Sequence, residues 1–284
     1  MKKRYLVTLL GLGIAGLTCF FLTEDYSLID NPSTTYEEHS YNPNPTLTES
    51  PSAEPQEAAK KSSSNIKLPN AINTNPISLT VLVNKLHSVP SDYVPSDLVE
   101  PAILFSFSYK DPKRQLRQVA AHALEDMFRA ASWDGIELVG VSGYRSYNYQ
   151  NVLYRNQIQE IGEEAANMLS APPGKSEHQT GLAMDISCPE LKGELTDCFA
   201  ESTPGIWVAE NCDRFGFIIR YPMNKVNITG YAYEPWHIRY VGVELATYLK
   251  ENNMCLEEYY GSATFSTAPT PSPHEDSEDF RVEN

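Results

Sequence analysis

The chain has 284 residues, 41% of them hydrophobic, with 37 acidic side chains against 22 Lys and Arg and a formal net charge of −15. That acidity excludes a general nucleic-acid binder, which needs a basic face to release phosphate counterions, and it means that contact with any other polyanion must be specific rather than electrostatic. No internal repeat is evident, and the uneven composition makes the folded part smaller than the length suggests.

Residues 1–23 open with Lys2, Lys3 and Arg4 and then run uncharged from Tyr5 to Thr23, which is the length a helix needs to cross a bilayer core. The basic flank stays inside, so the remainder is expected outside the membrane. A retained signal anchor is favoured over a cleaved, secreted form because no A-x-A-like site closes the long apolar run. Cys19 follows Thr18 rather than a small residue and reads as a membrane-buried thiol. Residues 24–65 are an acidic Pro/Ser/Thr linker with too little apolar surface to offset chain entropy. Ser64 and Lys67 match S-x-x-K, but neither S-D-N nor K-T-G follows, which argues against a penicillin-binding serine enzyme. The folded domain is expected over 66–260, followed by an acidic disordered tail over 261–284 in which His274 is solvent-exposed.

Within the domain, 78–83 is a β-prone run and 89–99 a proline-punctuated extended strap. Asp111 and Pro112 signal a helix start, and Leu116, Val119, Ala120, Ala123 and Met127 give it an apolar stripe as far as Gly135. His122 lies beside that stripe and reads as solvated. Residues 136–141 predict a strand ending in S-G-Y-R-S, with Ser146 capping a helix over 147–169 that carries Gln150. Arg145 thus sits at a strand-to-helix junction, where a fixed guanidinium can aim into a cleft. After the turn 171–174 comes S-E-H-Q-T-G-L-A-M-D at 176–185. Lys175 and Ser176 do not complete a phosphate loop, because the earlier glycine position is Leu169. A helix over 203–215, a strand over 217–221, a turn over 224–230, a strand over 231–241 bearing E-P-W-H and a helix over 243–253 follow.

The cysteines beyond the leader, Cys188, Cys198, Cys212 and Cys255, are even in number and on the exported side, where disulfides persist. Three pairings are open; Cys188 with Cys198 is the shortest closure and leaves Cys212 with Cys255. None has C-x-x-C metal spacing.

Two imidazoles and a carboxylate, His178, Asp185 and His237, supply the three protein ligands of a hydrolytic zinc site with one position left for water. Gly181 stands where the backbone must turn before Asp185. Glu234 is a spare carboxylate to take a proton from water and pass it to a departing amine, and Arg145 is a cation for the developing oxyanion. One difficulty is parity: Glu234 and His237 fall on opposite faces of a regular strand, and only a local break at Pro235 brings both to one metal.

The stretches S-G-Y-R-S at 142, S-E-H-Q-T-G-L-A-M-D at 176, F-G-F-I-I-R-Y-P at 215 and Y-E-P-W-H-I-R-Y-V-G at 233 resemble the D-alanyl-D-alanine carboxypeptidases of the vancomycin-resistance Y type. These zinc peptidases are grouped with lysostaphin and the hedgehog amino-terminal domain, and the likeness spans about 78–255. The resemblance implies an α+β fold, a small antiparallel sheet backed by helices with a zinc cleft on the sheet. It implies one Zn2+ held by His178, Asp185 and His237, Glu234 as base and Arg145 as the carbonyl-polarising residue, with Ser176, Gln150 and Tyr221 lining the pocket for the terminal substrate residue. The implied reaction removes the C-terminal D-alanine from peptidoglycan stem peptides outside the membrane. An L,D-carboxypeptidase or a cross-link endopeptidase shares every metal motif, and a non-catalytic wall-peptide-binding module is disfavoured by the intact Glu234 and Arg145.

Overall fold

Apolar and polar residues alternate along the strands that carry the candidate ligands, so each strand offers one face to a core and the other to a site. The computed structural model describes residues 68–69 and 71–262. A short antiparallel pair, β1 (Leu98–Val99) and β2 (Leu116–Arg117), leads into α1 (Gln118–Trp133). The main sheet has four antiparallel strands in the order β3-β4-β6-β5: β3 (Val139–Ser142), β4 (Ala183–Ser187), β5 (Phe217–Tyr221) and β6 (Glu234–Tyr240). Between them lie α2 (Tyr147–Ile161), α3 (Glu163–Leu169), α4 (Cys198–Glu201), α5 (Thr203–Asn211) and α6 (Val226–Thr229), and α7 (Val243–Glu251) and α8 (Leu256–Tyr260) close the domain. This is the α+β arrangement the sequence implied.

The two faces of the sheet divide the chemistry. Met184, Ile186, Ile238 and Tyr240 pack with Leu124 and Met127 of α1 and Trp207 and Val208 of α5 into the larger core cluster. Asp185, His237 and Arg239 alternate with them and so turn to the other face. A smaller cluster joins Ile218 to Leu82 and to Leu245, Leu249, Leu256 and Tyr260, seating α7 and α8 at the β5 edge. Packing on one face therefore fixes where the polar residues of the other face stand.

Several expectations are corrected in detail. The run 78–83 forms turns rather than a strand, although Val81, Leu82 and Val83 are buried. Asn73 Nδ2 donates to Ser78 Oγ and Thr80 Oγ1, and Arg239 Nη2 donates to the carbonyls of Leu79 and Val81 at 3.0 Å each, so side chains take the place of a strand ladder. Asp111 does cap Pro112, but only a single 3-10 turn, Pro112–Arg114; β2 intervenes, and α1 starts at Gln118 and buries Ala120, Ala121, Leu124, Met127 and Ala131. Val119 of the expected stripe is 37% exposed, and His122 is exposed as read. The helix expected over 147–169 breaks at Gly162 into α2 and α3.

None of the three open cysteine pairings forms, since Cys188, Cys212 and Cys255 are buried free thiols. Cys188 and Cys212 pack in the larger core and Cys255 caps α8, where they serve as small apolar side chains. Burial pushes the Cys212 and Cys255 thiols up to about 12, far from the thiolate form that oxidises. No helix among the described residues is long and apolar enough to cross a membrane. The segment 1–23, Cys19, the linker 24–65, Ser64, Lys67 and the tail from 263 with His274 lie outside the described residues.

Candidate metal centre

Three neighbouring strands bring the two histidines and the aspartate together. Asp185 of β4 pairs directly with His237 of β6 on one side and with Ser142 of β3 on the other. His178 arrives from the 3-10 turn Glu177–Thr180, which ends at Gly181 with φ +66, a left-handed conformation that a side chain resists. One ligand atom from each of His178, Asp185 and His237 lies within 4.8 Å of the others, and all three residues are buried. His178 Nε2 is 3.3 Å from Asp185 Oδ2, and His237 Nδ1 is 3.0 Å from Asp185 Oδ1. The imidazole planes meet edge to face, with centroids 4.8 Å apart. Two buried imidazoles and a buried carboxylate converging on one point fit a zinc-sized cation.

The parity difficulty is resolved by a bulge. Opposite β5, Ile219 pairs with Ile238 but Tyr221 pairs with Glu234, so β6 carries two more residues than β5 across the same span. The bulge, with Pro235 inside it, turns Glu234 onto the face of His237, and its Oε2 lies 3.8 Å from His237 Nδ1. A second irregularity between Gly140 and Ser142 lets Ser142 meet Asp185. Arg145 follows directly: its Nε donates to Ser142 Oγ at 2.9 Å and its Nη2 to Asp185 Oδ2.

The electrostatics follow from this crowding. Burial and the Arg145 charge bring His178 down to about 4, so that ring is neutral at neutral pH. Burial also opposes the His237 charge, but the hydrogen bond to Asp185 and the proximity of Glu177 outweigh it and raise that ring to about 9. A metal held by this cluster would require His237 to give up the proton on its ligating nitrogen. Burial, reinforced by Asp185, raises Glu234 to about 7 against the pull of His237 and Arg145. Burial alone would raise Asp185, yet His178 and Arg145 hold it well below the usual carboxylate range.

All eight sequence candidates line one cleft, which opens between β6, α2 and the Ser176 turn and is edged by Leu153, Leu169, Leu195 and Trp236. Ser176, Gln150 and Tyr221 are all buried in its wall. Gln150 Nε2 donates to Ala171 O at 2.8 Å, leaving its Oε1 unpartnered. Tyr221 lies 5.0 Å from the His237 ring, and burial holds its phenol well above 10.

Sequence reasoning missed what lies beneath the ligands. Glu177 is fully buried, and its Oε1 accepts from Arg220 Nε at 2.8 Å and Arg239 Nη1 at 2.6 Å. Arg220 also grips Glu257 through both terminal nitrogens, at 2.8 and 2.6 Å, and Asn84 Nδ2 donates to Glu257 at 3.0 Å. Burial opposes both carboxylates, but Arg239 and Arg220 hold Glu177, and Arg220 holds Glu257, below the usual range. The sequence signal was an arginine inside each of two apolar strands, F-I-I-R-Y and H-I-R-Y, where a charge has no place unless paired.

Gly143 was passed over as well. Its carbonyl accepts from His178 Nδ1 at 2.8 Å, which fixes the ring so that Nε2 faces Asp185. A Cβ at Gly143 would stand 2.4 Å from Gln115 O. Gly143→Ala is expected to destabilise the domain by about 1–3 kcal/mol through overpacking and to weaken zinc binding through His178, measured by thermal melts and by chelator competition. Unchanged zinc affinity would remove this carbonyl from the description of the centre.

An α+β domain whose sheet carries a buried two-histidine, one-carboxylate cluster, with a free carboxylate beside it, has the donor set of a mononuclear metallohydrolase. Residues 113–243 match VanY, D-alanyl-D-alanine carboxypeptidase. The protein YodJ of Bacillus subtilis (strain 168) is 50% identical over 186 residues, covering 66% of this chain and 68% of YodJ. The chain belongs to the VanY family of carboxypeptidases. Among solved structures, the LD-carboxypeptidase LdcB is 48% identical with a TM-score of 0.64, covering 70% of this chain and 94% of that one. The vancomycin-resistance D,D-pentapeptidase VanY in complex with Zn(II) is 34% identical with a TM-score of 0.53, covering 63% and 97%.

Proposed function

We propose that the domain is a zinc-dependent carboxypeptidase that releases the C-terminal D-alanine from peptidoglycan stem peptides. The observation that carries this reading is the meeting of His178, Asp185, His237 and Glu234 at one point of one cleft, in a chain similar to a peptidase solved with Zn(II). His178 Nε2, an Asp185 oxygen and His237 Nδ1 are the ligand atoms. Zinc held there supplies Lewis acidity, bringing water toward a pKa of about 7 and polarising a carbonyl. Glu234 accepts the proton of the attacking water and returns it to the leaving amine nitrogen. Arg145 offers its guanidinium to the carbonyl oxygen as charge builds there. Ser176, Gln150 and Tyr221 hold the terminal residue and its carboxylate.

Two cuts release D-alanine. The family description supports a D,D cut on a pentapeptide stem, the choice the sequence favoured. Similarity to LdcB is higher than to VanY in both identity and TM-score, and it favours an L,D cut on a tetrapeptide stem, which we place first. Incubating the protein with each stem and following the loss of one D-alanine by mass tests both. Shortening of the tetrapeptide by one residue is the expected result. Shortening of the pentapeptide alone returns the D,D reading, and no shortening of either sinks the carboxypeptidase proposal. Residues 1–23 are proposed as the membrane anchor of an extracytoplasmic enzyme, so the protein is expected in the membrane fraction and accessible to protease on intact cells; recovery from the medium would point to cleavage instead.

A further inference from the structure

Two of the buried side-chain atoms without a hydrogen-bond partner face each other: Glu177 Oε2 and His237 Nε2, 3.5 Å apart. The other oxygen of Glu177 takes both arginines, Arg220 and Arg239, so its second oxygen is left directed at the ring. An ionised carboxylate only accepts. The proton between the two therefore belongs to His237 Nε2.

We infer that Glu177 is a positioning residue for the metal centre, fixing His237 with its proton on Nε2 so that Nδ1 is presented to the metal. His178 is arranged in the opposite sense. Its Nδ1 donates to the Gly143 carbonyl at 2.8 Å, and its Nε2 faces Asp185. Each ring thus has one outer acceptor, a backbone carbonyl for His178 and a carboxylate for His237, and each offers its remaining nitrogen to the same point. Without Glu177, rotation of the His237 ring would exchange the two nitrogens. Glu177 is in turn immobilised by Arg220 and Arg239, and Arg220 by Glu257, so the ring is tied to the β5 side of the fold through four buried charges.

The inference rests on the reading that a metal sits among His178, Asp185 and His237, but its test separates the two. In the full chain with 15N-labelled histidine and 113Cd in the site, a long-range proton–nitrogen spectrum is expected to show cadmium coupling to Nδ1 of His237 and to Nε2 of His178, with a slowly exchanging proton on His237 Nε2. Coupling through His237 Nε2 would overturn the assignment. Failure to take up metal sinks the functional proposal instead, and the metal-free spectrum then decides this one: a slowly exchanging His237 Nε2 proton supports it, and a ring protonated on Nδ1 alone refutes it. Glu177→Gln is expected to weaken zinc binding about 10–100-fold and to shift the His237 signals. If Glu177 served only to neutralise the two arginines, the variant would melt at lower temperature while the folded protein kept its zinc affinity and its His237 signals. Should that variant fail to fold, the spectrum of the unsubstituted protein decides between the two roles.

Discussion

Glu234→Gln is expected to lower kcat for D-alanine release by about 10²–10⁴-fold, the usual contribution of a positioned general base, while the protein still binds one zinc. The substitution keeps the shape of the side chain and removes only its capacity to carry a proton. Glu234 lies at the bulge in β6 with its Oε2 3.8 Å from His237 Nδ1, and its side chain is 14% exposed, so it reaches the cleft without being washed by solvent. Burial raises its pKa to about 7, and the charge of a bound cation would lower it from there, leaving it a base at neutral pH. Turnover of the preferred stem peptide and zinc content by atomic absorption together make the test. Loss of turnover with zinc retained is the expected pair of results. Unchanged turnover removes Glu234 from the mechanism, whereas loss of zinc assigns it to the ligand shell.

The division between what could and could not be read in the sequence follows from the range of the interactions. Asp185 and His178 were legible because Gly181 marks the turn that joins them locally. The strand 217–221 was placed correctly because its apolar run is bounded by a glycine and a proline. The convergence of Glu234 with His237 was legible as a break required at Pro235, but the form of that break was not, because the bulge is created by pairing with Tyr221 on a different strand. Local signals misled in the segment 78–83, whose β-prone composition is overruled by Arg239 reaching across the fold to the carbonyls of Leu79 and Val81. The same holds for the cysteines. Their parity suggested bridges, yet Cys188 and Cys212 fill apolar core positions that no spacing rule reveals.

The largest effect on stability is expected from Arg220→Met, about 3–5 kcal/mol, because removing one member of a buried charge cluster leaves its partners uncompensated. Arg220 is fully buried and bonds Glu177 and Glu257 together, and neither carboxylate is open to solvent that could take its place. Methionine fills part of the volume but offers no donor. The pH dependence identifies the cause. Arg220 depresses the folded-state pKa of Glu257, and with Arg239 that of Glu177, below the ordinary value near 4.5. Their stabilising contribution is therefore fully present above that value and is lost as the pH falls through the folded-state values. In the variant the depression is lost for Glu257 and weakened for Glu177, which keeps Arg239, and protonating the stranded Glu257 relieves the loss. Thermal melts of both proteins between pH 7 and 3 are expected to show the widest gap near neutrality and a narrowing gap below about pH 4.5. A gap that stays constant with pH would mean that the loss comes from packing alone, and that the charges under the metal centre contribute nothing to holding it in place.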